Sequence, residues 1–123
     1  MSSKQMHRYQ VDITKPKGWF AGPWNSDLPI SIGFASRGID DPHKHMQTTE
    51  VYLVTNGTAE LRVEKETLKL FPGDMIIIEP GEAHTFLSSS QDYFHLVLHV
   101  PGYSGEEAQH ERSTVTRASL GLV

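Results

Sequence analysis

Between residues 30 and 100 the chain repeats one pattern: a short strand-like run, then a turn built on glycine, proline or Asn-Gly. Residues 30–36 (I-S-I-G-F-A-S) set Ile30, Ile32 and Phe34 against small residues, the period of two expected of a half-buried strand. Residues 50–55 are rich in β-branched and aromatic side chains and run into Asn56-Gly57. Both turn residues tolerate positive φ, so a tight hairpin is expected there. Beyond it, Ala59, Leu61 and Val63 alternate with Glu60, Arg62 and Glu64, which predicts an apolar inner face and a solvated charged one. Residues 67–71 continue the alternation to Pro72-Gly73-Asp74, and Met75–Ile78 reads as a strand buried on both faces. Residues 83–87 and 93–100 supply two further strands around Pro80-Gly81 and Pro101-Gly102. Strands spaced roughly 8–12 residues apart, with no helical period between them, predict an all-β sandwich or barrel.

The ends are less regular. Residues 7–13 read as an edge strand, and residues 15–29 (K-P-K-G-W-F-A-G-P-W-N-S-D-L-P) read as a long loop. Residues from 104 onward open with S-G-E-E, a capping-box pattern for one short helix, and then form a polar tail expected to be loosely ordered or docked on a partner. The whole chain of 123 residues fits one domain, divided into an N-terminal strand and loop arm (1–29), a barrel (30–103) and a C-terminal tail (104–123).

Composition narrows the function classes. A net charge of −4 without a basic cluster argues against a nucleic-acid partner. The absence of cysteine removes disulfides, zinc ribbons and thiol catalysis, and suits a cytoplasmic location. No apolar run approaches the ~20 residues needed to cross a bilayer, and the polar start M-S-S-K-Q-M-H-R-Y-Q lacks the apolar segment of a signal peptide.

Chemistry concentrates in D-P-H-K-H-M-Q-T-T-E and P-G-E-A-H. His43 and His45 share a strand face because side chains alternate. Glu50 has the opposite parity, so it joins them only if residues 46–49 turn the chain and reset the face. His84 follows the Pro80-Gly81 turn. These four are either surface polars near turns or the ligands of a divalent transition metal ion; three imidazoles and a carboxylate suit Fe, Mn, Ni, Cu or Zn alike. Four ligands leave coordination positions for water or substrate.

The spacing of these residues resembles the two motifs of the small single-domain cupins (cupin type 2). The first motif is matched by Gly38, His43, His45, Glu50 and Gly57, with four residues between His45 and Glu50 and six between Glu50 and Gly57. Gly73, Gly81 and His84 match the second, and fifteen residues separate Gly57 from Gly73. The chain departs from the pattern in the four-residue gap from Gly38 to His43, in Glu79 where proline is usual, and in Ser88 where asparagine is common. Loss of that proline is expected to loosen the turn that aims His84.

The resemblance implies a double-stranded β-helix (jelly-roll barrel), a metal held inside it by His43, His45, Glu50 and His84, and a homodimer. It implies a metalloenzyme for a small molecule, of dioxygenase or isomerase/lyase type, or else a non-catalytic ligand- or sugar-binding protein. No catalytic residue is assigned. By strand parity Tyr52, Val54 and Phe86 are placed as pocket walls, and His95 and His99 as histidines of one strand face that either support the site or face solvent or a partner. Trp19, Phe20 and Trp24 are placed as a lid over the barrel mouth or, preferably, as packing or interface residues.

Overall fold

The period-two runs become strands, and two further strands form where no alternation announces them. The computed structural model describes residues 7–39 and 41–123. In order they form β1 (Lys17–Ala21), β2 (Ser31–Ala35), β3 (His43–His45), β4 (Thr49–Asn56), β5 (Ala59–Val63), β6 (Glu66–Leu70), β7 (Met75–Ile78), β8 (His84–Ser89), β9 (Phe94–Val100), helix α1 (Gly105–Glu111), β10 (Arg112–Thr114) and a 3₁₀ turn, Arg117–Leu120. The strands make two antiparallel five-stranded sheets, β1-β2-β9-β4-β7 and β10-β3-β8-β5-β6. This is a double-stranded β-helix. Between the sheets Tyr52, Val54, Ala59, Leu61, Leu70, Ile78, Phe86, Tyr93 and Val97 form one buried cluster.

Asn56-Gly57 does not close a hairpin. β4 pairs with β9 and β7, whereas β5 pairs with β6 and β8, so the turn carries the chain from one sheet to the other. Gly57 has φ 72, and a side chain there would come within 2.6 Å of the Tyr93 backbone. The left-handed backbone that suits a hairpin serves a corner equally well. The tight hairpin is β5–β6, where Val63 faces Glu66. Glu64 takes φ 50 in this turn and is held at Ala83, donating its N–H to the Ala83 carbonyl (2.8 Å) and accepting the Ala83 N–H on Oε2 (2.5 Å). The charged face is solvent-exposed at Glu60 and Glu64, as expected, while Arg62 is partly buried. Arg62 donates to the Leu120 carbonyl from Nε and Nη2, at 3.1 and 2.9 Å.

Residues 7–13 form no strand; the first strand is β1, inside the segment read as a loop. It pairs with β2 because Gly18 and Gly33 let the backbones approach: a side chain on Gly33 would lie 2.5 Å from the Gly18 carbonyl. The polar start on which the signal-peptide reading rests lies partly outside the described residues. β7 is buried on one face only, since Met75 and Ile77 are exposed and Ile78 is buried. The sheet has one core-facing side, and on the other side the outward residues of β7 continue a row, Ile32, Leu98, Val51 and Ile77, across four strands. The tail is ordered on its own chain, because β10 pairs with β3 and Leu120 is fully buried. Ser104 starts α1 but makes no side-chain cap, Gly105 at φ 59 turning the backbone at that point instead. Among the described residues no helix is long and apolar enough to cross a membrane.

Candidate metal centre

Two strand registers bring the centre together. In one sheet His43 lies directly opposite His84, and His45 follows two residues along the same face. In the other sheet Glu50 lies opposite His99. The link at residues 46–48 crosses from β3 to β4 and turns Glu50 inward, which is the reset its parity requires. Thr48, buried, fixes this crossing by donating to the Pro101 carbonyl at 3.0 Å. The Gly81 N–H donates to the His45 carbonyl at 2.7 Å, tying the turn before His84 to β3. Glu79 also has a role that proline could not fill: its N–H donates to Glu82 Oε1 at 2.7 Å, while the Glu82 N–H returns to the Glu79 carbonyl at 3.1 Å. Two hydrogen bonds thus brace the turn that lacks the usual proline.

One donor atom from each of His43, His45, Glu50 and His84 lies within 4.8 Å of the others. Each imidazole is anchored through Nδ1: His43 to the Asp41 carbonyl (2.7 Å), His84 to the Glu82 carbonyl (3.0 Å), and His45 to Glu111 Oε1. A carbonyl only accepts, so Nδ1 of His43 and of His84 carries the proton and Nε2 is left as the lone-pair donor. His84 Nε2 sits 2.9 Å from Glu50 Oε1. Two lone-pair atoms that close need a cation between them, either a proton or a metal ion. His45 Nε2 is buried without a hydrogen-bond partner, 3.6 Å from Glu50 Oε1. The convergent Nε2 atoms, the carboxylate and this orphaned nitrogen fit a transition-metal ion.

Electrostatics favour the ligand forms of His43 and Glu50. Burial, helped by neighbouring His84, pushes His43 down to about 4, so it is neutral near pH 7. Burial also pushes the Glu50 carboxyl upward, but the imidazoles of His45, His84 and His99 outweigh that and hold it well below the ordinary range. Burial pulls His45 down, and Glu50 with Glu111 outweighs it, leaving His45 raised. Tyr52 donates to Glu50 Oε1 at 3.0 Å; burial and the Glu50 charge push its phenol well above its usual value, so it stays a donor.

The centre opens into a cavity of about 730 Å³. Tyr52, Phe86, His95, Val97 and His99 line it; Val54 does not, lying deeper in the buried cluster. His99 donates from Nε2 to Glu50 Oε2 at 2.7 Å and packs on Trp19, with ring centroids 4.8 Å apart. His95 is buried with Nδ1 2.6 Å from the Tyr93 hydroxyl, and burial pushes it down to about 4. Trp19 and Trp24 stand at the cavity wall, half exposed and edge-to-face at 6.3 Å. Sequence reasoning missed Glu111. No local pattern marks it, because its partner His45 is 66 residues away.

The family model described as "Cupin domain" matches residues 34–101. This chain belongs to the cupin family. An uncharacterized protein of Aquifex aeolicus is 31% identical over 67 residues; the match covers 54% of this cupin and 55% of the relative. The chain thus spans just over half the length of that relative. Among solved structures, the nucleoside dehydratase Pac13 aligns with TM-score 0.68 over 90% of this chain and 92% of its own, at 13% identity. Pac13 of Streptomyces has also been solved with uridine. KdgF from Halomonas aligns with TM-score 0.60 over 79% of this chain and 90% of its own, at 21% identity. These likenesses are of fold, and the neighbours include an enzyme.

Proposed function

We propose that this cupin is a divalent-metal enzyme that works on a small polar molecule by acid–base chemistry, of the isomerase or lyase type. The observation that carries the reading is the convergence of three Nδ1-anchored imidazoles and Glu50 on one point at the wall of the cavity. His43, His45, Glu50 and His84 would hold the ion. When bound, such an ion supplies Lewis acidity to a carbonyl or hydroxyl oxygen. The chain's own groups do the rest. His99 holds a proton at Nε2 beside Glu50, Tyr52 keeps its phenolic proton on the same carboxylate, and Phe86 and Val97 give the cavity apolar wall. A volume of about 730 Å³ suits a ligand of metabolite size. The dehydratase among the fold neighbours performs an elimination, which agrees with this reaction class without assigning its substrate.

The pair of half-exposed tryptophans at the cavity favours a second reading, a non-catalytic cupin that stacks a ring-shaped ligand on Trp19. One experiment separates the two. Protein purified without chelator is expected to carry close to one transition-metal ion per chain by elemental analysis. Stripped protein reloaded with Mn(II), Zn(II) or Fe(II) is then screened against hydroxy- and keto-compounds with and without oxygen. Metal-dependent turnover without oxygen supports the acid–base enzyme, oxygen uptake replaces it with an oxygenase, and saturable binding without turnover replaces it with a binding protein.

We also propose that the outer face of the sheet containing β7 pairs with a second copy of the chain. Ile32, Leu98, Val51 and Ile77 align across it, with Leu96, Leu53 and Met75 in the next row, and neither row carries a charge. A self-matching apolar face of this kind suits a two-fold interface. Light scattering is expected to give a dimer for the wild type and a monomer for Ile77→Lys; equal masses would remove the assignment.

A further inference from the structure

We infer that Glu111 is a positioning residue of the metal centre, and that the C-terminal segment exists in part to deliver it. The inference rests on the metal reading above and adds a residue outside both sequence motifs. Glu111 ends α1, is 8% exposed, and accepts the His45 Nδ1 proton on Oε1. Its backbone is fixed at the same place: its carbonyl accepts the Met46 N–H at 2.6 Å, and the next residue, Arg112, faces His45 in the β10–β3 register. Side chain and main chain together lock His45 from behind.

The three imidazoles are not anchored alike. His43 and His84 rest on neutral carbonyls, whereas His45 rests on a carboxylate. The second carboxylate oxygen, Oε2, is buried and has no hydrogen-bond partner, so no other donor draws the charge away from His45. A carboxylate behind an imidazole fixes its tautomer and strengthens its lone pair toward a metal, and loss of such support costs ~10–100-fold in metal affinity. His45 Nε2, the atom so prepared, is the other buried side-chain polar atom without a hydrogen-bond partner among the described residues. Together with Glu50, Glu111 also gives the site two buried carboxylates, the charge that a divalent ion balances.

The test uses the full chain stripped of metal and titrated with Zn(II) and Co(II) against a chromophoric chelator. Glu111→Ala is expected to lower affinity about 10–100-fold and to shift the Co(II) visible spectrum. Glu111→Gln, nearly isosteric, keeps an acceptor but loses the charge; a several-fold loss is expected, with the His45 Nδ1 proton of the Zn-loaded protein moving upfield by NMR. If the alanine variant fails to fold, the glutamine variant decides the matter. Wild-type affinity with an unmoved imidazole proton in Glu111→Gln, or wild-type affinity and cobalt spectrum in folded Glu111→Ala, overturns the assignment. Failure of the wild type to bind either ion overturns the metal reading and this inference with it. Binding by the wild type and by both variants alike overturns only the role of Glu111.

Discussion

Replacing His84 with alanine is expected to lower affinity for a divalent transition ion about 100-fold or more. Four-ligand protein sites bind zinc with apparent energies of roughly 10–16 kcal/mol, so one ligand in four accounts for ~3 kcal/mol, about two powers of ten. His84 is the most informative of the four because it is 1% exposed and braced on both sides. Its Nδ1 is held by the Glu82 carbonyl and its Nε2 meets Glu50, so both ring nitrogens are engaged. The same burial gives the variant a cost in stability. Alanine leaves a void and takes one partner from Glu50 Oε1, although Tyr52 still donates there. A loss of ~1–3 kcal/mol in the metal-free protein is the expected size. His43→Ala separates the two effects: His43 is only partly buried, so affinity should fall comparably while stability falls less. Competition titration with denaturant unfolding of the stripped proteins measures both. Unchanged affinity in both variants would remove these residues from the metal site.

How much of this was legible in the sequence depends on what each residue answers to. Alternation reports a face, and so the inward set Ala59, Leu61 and the order of the central strands could be read directly. The motif spacing reported more, because it encodes register: His43 opposite His84 and Glu50 on the facing sheet are consequences of fixed turn lengths between short strands. Sheet membership was not legible. Asn56-Gly57 specifies a left-handed backbone, and a hairpin and a sheet-to-sheet corner both use one. Nor does an apolar run distinguish two buried faces from one buried and one outward, which is why Met75 and Ile77 stand exposed where burial was expected. In β1, the glycines that obscure the pattern are what permits the pairing, since Gly33 makes room for Trp19 to lie across the sheet toward His99. Glu111 was illegible for another reason. A buried ion-pair partner is defined by tertiary contact, and nothing in S-G-E-E-A-Q-H-E separates the one buried acid from its exposed neighbours.

The ordered tail makes the second large prediction: Leu120→Ala is expected to destabilise the protein by ~2–5 kcal/mol, the range for emptying a buried leucine site. Leu120 is fully buried at the end of the 3₁₀ turn, which is capped by the Thr116 hydroxyl oxygen accepting the Ser119 N–H at 3.2 Å. The anchor is both apolar and polar, since the Arg62 guanidinium grips the Leu120 carbonyl through two N–H groups. Between this anchor and α1 lies β10, a three-residue edge strand whose pairing with β3 is the outer support of His43 and His45. So short an edge strand has little stability of its own. Releasing Leu120 should therefore loosen β10 and, through it, the backs of two metal ligands. Thermal melting should show Tm lower by about 10 °C, and hydrogen exchange should speed up first at the amides of Met46 and Val115, whose bonds to Glu111 and Pro42 flank β10. Arg62→Ala, which keeps the apolar contact, should cost less, ~1.5–3 kcal/mol for the charged hydrogen bonds. A Leu120→Ala protein that melts with the wild type and protects Met46 equally well would show that the tail rests on the barrel without holding it. The strand carrying His43 and His45 would then have to be fixed by its pairing with β8 and by the Gly81 N–H alone.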